Sequence, residues 1–233
     1  MRTLVFQGYM WGYILSNVNK TFTINKLNKT GKKKEKLELM DRIILKCTNK
    51  LIKISGADLT VTGTENIPLD EPVLYVSNHQ GNMDIPILYS TAPQTMAFVA
   101  KKEMEKIPML GFWMKQRGCV FIDRENARSS LKSINEAIEK LKSGTSIAIF
   151  PEGTRSKSPT IGDFKPGSLR IAIKAGVKVI PVTIKDSYKL ISEKGKNTPA
   201  QVSVHYSEPI DPKNFKDTNE LATTVLAEIN KYL

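Results

Sequence analysis

Short apolar runs alternate with helical patterns over most of the chain, from about residue 57 onward. Runs rich in β-branched and aromatic residues, each bounded by turn residues, predict seven strands. The predicted strands cover residues 59–61, 73–77, 95–99, 119–122, 146–150, 178–184 and 201–206. This alternation predicts an α/β fold in which a central, mostly parallel or mixed sheet is flanked by helices.

Two helices are predicted within this part of the chain. Between Ala127 and Lys142 apolar residues recur at helical spacing, Asn126 precedes them as an N-cap, and Gly144 follows as a stop signal. A second helix is predicted from about residue 218 to 231, close to the carboxyl terminus.

The first 56 residues have a different pattern, which predicts an N-terminal segment of residues 1–56 ahead of an α/β domain of residues 57–233. Residues 3–19 carry no charge and include Tyr9, Trp11 and Tyr13, but the run is too short and too rich in polar groups to predict a membrane-spanning helix. From Leu37 to Ile54 apolar residues recur every three or four positions, which predicts an amphipathic helix. Its apolar stripe either lies on a membrane or packs against the core of the domain.

The net charge of +12 is concentrated at the amino terminus. Residues 1–50 hold 11 Lys and Arg against 3 Asp and Glu, and seven of these lysines lie between residues 20 and 36. Such a segment favours an anionic partner, either nucleic acid or an acidic membrane leaflet. Aromatic residues beside the lysines favour the leaflet, and no nucleic-acid motif is recognisable. We therefore expect peripheral or monotopic association with the cytoplasmic face of the cell membrane, and no nucleic-acid partner.

The supply of metal-binding and redox side chains is small. The sequence has two cysteines, Cys47 and Cys119, and two histidines, His79 and His205. This composition excludes a disulfide framework, a cysteine-built zinc site and a His-rich metal site.

Four polar clusters follow predicted strands, at positions where α/β sheets collect ligands. They comprise residues 77–84, 101–103, 118–124 and 150–156. Because strand ends of a parallel sheet meet at one edge, we expect the four clusters to lie near one another.

The first cluster contains a histidine and an aspartate five residues apart. His79 and Asp84 would not share a face of one helix, but a loop that leads into a helix start, with Gly81 in it, can bring them together. An aspartate bonded to one imidazole nitrogen would make His79 a general base. No Ser or Cys nucleophile is evident, so the activated hydroxyl would belong to a substrate. The alternative is a plain hydrogen bond within a loop.

Cationic residues in the other clusters suggest the chemistry of that substrate. Arg124, Arg155 and the pair Lys101 and Lys102 are suited to hold a phosphate, and Lys165 could add another cation. The alternative for each is a solvated surface charge.

The clusters together resemble the four ordered motifs of the glycerolipid acyltransferases, and most of all those of the 1-acyl-sn-glycerol-3-phosphate acyltransferases. The resemblance is carried by residues 78–84 (NHQGNMD), 118–124 (GCVFIDR), 150–156 (FPEGTRS) and 179–182 (VIPV). One departure is Gly81, where the family often carries serine.

This resemblance implies transfer of a fatty acyl group from acyl-coenzyme A or acyl-carrier protein to the 2-hydroxyl of lysophosphatidate, giving phosphatidate. It implies His79 as the base and Asp84 as its partner, with residues 179–182 beside the acyl chain. It further implies direct transfer without an acyl-enzyme, metal or cofactor, at a membrane. The residues it implies for the phosphorylated glycerol are Lys101, Arg124, Glu152, Gly153, Thr154 and Arg155.

Two alternatives stay open on the sequence alone. One is acylation of a different acceptor, such as glycerol-3-phosphate or another lysolipid. The other is a non-catalytic module that uses the basic amino terminus to bind membrane or nucleic acid.

Overall fold

The computed structural model describes residues 2–124, 126–192 and 194–233. In chain order, its helices and strands are α1 Arg2–Ser16, α2 Lys20–Lys29, α3 Lys33–Ser55, β1 Ala57–Thr62, β2 Leu74–Ser77, α4 Asp84–Thr91, β3 Ala97–Lys101, α5 Leu110–Arg117, β4 Val120–Ile122, α6 Ala127–Lys142, β5 Ile147–Ile149, α7 Arg170–Ala175, β6 Val179–Lys185, β7 Ala200–Tyr206 and α8 Thr218–Asn230.

The predicted strands and the two predicted helices are confirmed. The seven strands form one sheet in the order β1-β7-β6-β2-β5-β3-β4, and each neighbouring pair is parallel except β6 and β7. Helix α6 begins as predicted, because the side chain of Asn126 accepts a hydrogen bond of 3.0 Å from the amide of Ser129. Gly144, at φ +88°, follows its last turn. The fold is therefore the expected α/β fold with a mixed sheet.

The sheet is the centre of the hydrophobic core. Strands β2, β5 and β6 are buried along almost their whole length, as is usual for strands covered by helices on both faces. A smaller cluster lies apart from this core and joins α2, α3 and α5 through Ile24, Met40 and Trp113.

The apolar stripe of α3 was expected either to lie on a membrane or to pack against the core of the domain. Met40, Leu51 and Ile52 of the stripe are buried, and Ile44 packs against the main core. These residues of the stripe therefore pack on the body of the protein, and binding of residues 1–56 to a membrane stays a prediction. The helix ends at Gly56, whose φ of +76° is the left-handed conformation expected of a glycine C-cap.

A largely buried ion pair joins α3 to the rest of the fold. Nε of Arg117 lies 2.6 Å from a carboxylate oxygen of Asp41, and the hydroxyls of Tyr89 and Thr95 also donate to that carboxylate. Removing one partner of such a pair leaves a charge without compensation and costs about 3–5 kcal/mol. The network therefore ties α3 to α4 and α5 of the α/β body.

Candidate active site

The polar clusters lie at one edge of the sheet because β6, β2, β5, β3 and β4 are mutually parallel neighbours. Chain direction therefore brings all five carboxyl ends to the same edge. His79 follows β2, Glu152 follows β5, and Arg124 follows β4. Since β2 and β5 are adjacent, the loops that carry His79 and Glu152 lie side by side.

His79 and Asp84 are in direct contact. Nδ1 of the imidazole lies 2.7 Å from Oδ2 of Asp84, and the carboxylate is fully buried, whereas the side chain of His79 is partly exposed. Asp84 is the first residue of α4, as expected for a loop that leads into a helix start. With Nδ1 bound to the carboxylate, Nε2 is the nitrogen that can accept a proton.

The Asp84 carboxylate accepts further bonds that offset the cost of burying a charge. The backbone amides of Gln80 and Gly81 donate to Oδ2 over 2.7 and 2.8 Å. The hydroxyl of Ser187, a residue that follows β6, donates to Oδ1. Buried carboxylates need this compensation, because removal from water disfavours the charged form.

Glu152 supports the loop that carries His79. Its Oε1 accepts a 2.6 Å bond from the backbone amide of His79, and its Oε2 accepts a 2.7 Å bond from that of Gly162. Burial raises the pKa of this carboxyl above its ordinary value, and the two amide bonds oppose the rise. Since both oxygens are engaged by backbone, Glu152 acts on the site through the loop, and its direct contact with a substrate stays a prediction.

Phe150 fixes the imidazole plane from one side. The ring centroids of Phe150 and His79 are 4.0 Å apart and the planes differ by 19°. Stacking of this kind, together with the bond to Asp84, limits rotation of the imidazole. Phe150 also begins the turn that contains Glu152 and Gly153, so one short segment both stacks on the imidazole and supports its loop.

Two cations meet beside Gly153. A methyl group placed on Gly153 would lie 3.4 Å from a terminal nitrogen of Arg124 and 3.6 Å from Nζ of Lys165. Gly153 has φ +72°, a left-handed conformation that glycine adopts without cost. Partial desolvation lowers the pKa of Arg124, whose guanidinium nevertheless stays charged. The pair therefore forms a cationic corner.

A cavity of about 290 Å³ contains this corner. Arg124, Lys165 and Gly153 line it together with an apolar wall and with Phe150, the ring that stacks on His79. The apolar wall includes Val99, Ile122, Ile134, Ile149 and Ile171. The cavity thus offers charge and apolar surface, and Phe150 lies between it and the imidazole of His79.

Comparison with known proteins places this site in a family. A family model described as Acyltransferase matches residues 58–185, which is more than half of the chain and includes His79, Asp84, Arg124, Glu152 and Lys165. The chain belongs to the Acyltransferase family.

Relatives of this acyltransferase match most of its length. A probable 1-acyl-sn-glycerol-3-phosphate acyltransferase of Mycoplasma pneumoniae is 32% identical over 209 residues, which are 83% of this chain and 78% of that protein. A protein of the same description from Mycoplasma genitalium is 33% identical, over 83% of this chain and 77% of that protein. The crystal structure of the 1-acyl-sn-glycerophosphate (LPA) acyltransferase PlsC from Thermotoga maritima superposes with a TM-score of 0.80 at 31% identity, over 99% of this chain and 95% of that one.

The other predicted substrate residues of this acyltransferase lie at different positions relative to the His79 and Asp84 pair. Arg155 donates to the side-chain oxygen of Asn82, within the loop between His79 and Asp84. Lys101 pairs with Ile122 across β3 and β4, two residues before Arg124, and its ammonium lies 3.2 Å from Glu103. Thr154 is exposed on the turn after β5. Their roles as substrate ligands stay predictions.

Residues 179–182, which the resemblance places beside the acyl chain, are buried inside β6 and do not line the cavity. Their predicted contact with an acyl chain has no support from this cavity. Within residues 2–124, 126–192 and 194–233, no group of three His, Cys, Asp or Glu side chains is arranged to hold a metal ion.

Ser187 and Phe150 contact the His79 and Asp84 pair, and the sequence analysis predicted neither contact. Ser187 follows a predicted strand, as the four clusters do, so the rule that polar residues at strand ends collect at one edge could have found it. Phe150 is the first residue of the motif at 150–156, but nothing in the pattern indicates that its ring stacks on His79.

Proposed function

We propose that this acyltransferase moves a fatty acyl group from acyl-coenzyme A or acyl-carrier protein to the 2-hydroxyl of 1-acyl-glycerol-3-phosphate and forms phosphatidate. The observation that carries the proposal is the 2.7 Å contact between His79 and Asp84, next to Phe150, whose ring stacks on His79 and lines the cavity that contains Arg124 and Lys165. The names of the two Mycoplasma relatives support the acceptor, since both contain 1-acyl-sn-glycerol-3-phosphate.

The proposed reaction is direct. Nε2 of His79 takes the proton of the 2-hydroxyl while the oxygen attacks the thioester carbonyl. Asp84, bonded to Nδ1, stabilises the imidazolium that forms. Collapse of the tetrahedral intermediate breaks the carbon–sulfur bond, and the imidazolium returns its proton to the leaving thiolate. The products are the ester and a free thiol, and the steps require no metal and no acyl-enzyme.

The cationic corner accounts for a phosphorylated acceptor. Arg124 offers a planar fork of donors and Lys165 a point charge, and both types of group bind phosphate strongly. Arg155 and Lys101 supply further positive charge around the same edge. The apolar wall of the cavity suits an acyl chain, which favours a lipid acceptor or an acyl donor over a small polar molecule.

The N-terminal helices support a membrane location. Large apolar side chains of the first 22 residues are exposed, among them Leu4 at 74% and Phe22 at 77%. The lysines between residues 20 and 36 follow directly, and each contributes about 1 kcal/mol near an anionic leaflet. Among the described residues, no helix combines the length and the apolarity needed to cross a bilayer. We therefore propose peripheral or monotopic binding at the cytoplasmic leaflet, with the apolar side chains and the lysines acting together.

A panel of acceptors and donors tests the function. Purified protein in mixed micelles receives lysophosphatidate, glycerol-3-phosphate or a monoacylglycerol, each with palmitoyl-coenzyme A and with palmitoyl-acyl-carrier protein. The proposal requires thiol release matched by phosphatidate formation with lysophosphatidate. Faster acylation of glycerol-3-phosphate or of monoacylglycerol would overturn the acceptor, and no turnover with any pair would overturn the activity.

A variant separates the phosphate contact from the chemistry. Arg124→Ala should raise KM for lysophosphatidate, because a charged hydrogen bond contributes about 1.5–3 kcal/mol. KM for a neutral acceptor should change little. Arg128 on α6 provides the control, and Arg128→Ala should leave both values unchanged. Equal effects of Arg124→Ala on charged and neutral acceptors would contradict a phosphate contact.

A further inference from the structure

Ser187 reaches the active site from a part of the chain that lies outside the four motifs. It begins a short 3-10 helix of residues 187–189 directly after β6, and only 1% of its surface is exposed. Its hydroxyl donates to Oδ1 of Asp84 across 103 positions of sequence. The contact exists because β6 is the parallel neighbour of β2, the strand that leads to His79.

The two oxygens of Asp84 are held differently. Oδ2 accepts from the imidazole of His79 and from two backbone amides, all on the side of its own loop. Oδ1 accepts from Ser187, which belongs to another element. A carboxylate held at one oxygen can still rotate about the bond to its Cβ, whereas bonds at both oxygens fix its plane. The plane matters, because it sets the direction of the bond to Nδ1 of His79.

The position of Ser187 is determined by contacts between β6 and the loop of His79. The side-chain amide of Asn78 both donates to and accepts from the backbone of Ile184, at 2.8 Å each. At Gly81, a Cβ would lie 3.2 Å from the carbonyl oxygen of Ser187, which is a tight approach. Asp186, at φ +70°, turns the chain between these two contacts. The hydroxyl is thus held against Asp84 by rigid neighbours on both sides.

We propose that Ser187 is a positioning residue for acyl transfer, which fixes the Asp84 carboxylate and through it the orientation and tautomer of His79. The inference rests on the proposed function, since it assigns a part in that same site. Without this donor, Oδ1 would stay buried and unbonded, and the carboxylate would rotate or draw water into the site. Ser187 makes no contact with the reacting atoms in this scheme, so its loss should affect turnover rather than substrate binding.

Kinetics of three substitutions test the role. In Ser187→Ala we expect kcat to fall about 10- to 100-fold, as for loss of a hydrogen bond to a charged group, with KM for lysophosphatidate within about twofold. Ser187→Thr keeps the hydroxyl and should retain most of kcat. Ser187→Cys keeps a similar size but is a weak donor, so it should lose kcat as the alanine variant does and carries the test if the alanine variant does not fold.

Ser146 provides a matched control. It is also buried, and its hydroxyl donates to the side chain of Gln94 over 2.9 Å, at the amino-terminal end of β5 and away from the site. Ser146→Ala should lower thermal stability without lowering kcat. If Ser187→Ala and Ser187→Cys keep full kcat, or if both lose kcat only as much as Ser146→Ala does, Ser187 has no positioning role.

A spectroscopic measurement checks the mechanism without turnover. The chain has two histidines, so His205→Gln leaves His79 as the single imidazole. In the ¹⁵N spectrum of histidine-labelled protein at alkaline pH, we expect one tautomer protonated at Nδ1 when Ser187 is present. Ser187→Ala should shift the signals toward a mixture of tautomers, and unchanged signals would overturn the proposal. If the wild type acylates no acceptor, the proposed function fails, but these spectra still decide whether Ser187 orients His79.

Discussion

A single methyl group at Gly153 tests the cationic corner without removing a charge. The methyl of Gly153→Ala would lie 3.4 Å from Arg124 and 3.6 Å from Lys165. A phosphate oxygen bonded to both cations would need this same space. Loss of one charge-assisted bond of about 1.5–3 kcal/mol corresponds to a rise of about 10- to 150-fold in KM for lysophosphatidate.

The substitution also has a backbone cost, which a second glycine can measure. Gly153 has φ +72°, and an L-residue in this region costs about 1–2 kcal/mol. Gly176 has nearly the same conformation, φ +69°, and a Cβ there would meet no atom within 4 Å. Gly176→Ala should therefore lower Tm by about as much as Gly153→Ala does, about 2–8 °C for a chain of this size.

The assay measures KM for lysophosphatidate and for a monoacylglycerol at saturating donor, beside the Tm of both variants. We expect the two variants to match in Tm and to differ in KM for lysophosphatidate alone. If KM rises equally in both variants, the effect comes from backbone strain. If KM rises in neither, phosphate does not bind between Arg124 and Lys165, and the reasoning is refuted.

Three further predictions concern other parts of the molecule. Burial raises the pKa of Glu152, so its carboxyl binds a proton more tightly in the folded protein than in the unfolded chain. When Tm is measured against pH, the stability of the wild type relative to Glu152→Gln should increase as pH falls through the raised pKa and level off below the ordinary value of 4.5. A decrease of this relative stability on acidification would contradict the prediction. Burial raises the pKa of the Cys47 thiol to about 11, so iodoacetamide should label this thiol slowly at pH 7.5 in the folded protein and readily after denaturation. Rapid labelling of Cys47 in the folded protein would show that the thiol is not buried. Replacing exposed Leu4 and Phe22 together by Asp should weaken co-sedimentation with anionic liposomes, whereas Asp at Tyr232, which is 45% exposed after α8, should not. Equal binding by all variants would place the membrane contact elsewhere.

Much of the fold could be predicted because local pattern determines it. Each strand is a short β-rich run, and α6 has a regular stripe with a cap at Asn126. The short helices α4, α5 and α7 were not predicted, since six to eight residues give too few turns for a clear period. Local pattern could not predict the order of the strands either, because β2 lies between β5 and β6, which are distant from it in sequence.

The candidate site was predictable where one motif holds a whole interaction. His79 and Asp84 lie five residues apart, so their contact depended on one loop alone. The bond from Ser187 to Asp84, the stacking of Phe150 on His79 and the meeting of Arg124 with Lys165 each join separate segments. Such contacts follow from the order of strands in the sheet, which the sequence pattern leaves undetermined.

The central claim is that His79 acts as the base, and one substitution tests it directly. His79→Ala should reduce phosphatidate formation about 10²- to 10⁴-fold with little change in Tm, because general-base assistance contributes that much. His205, which stacks on Tyr232 away from the site, provides the control, and His205→Ala should retain full activity. Full activity in His79→Ala, or equal loss in both variants, would contradict the account.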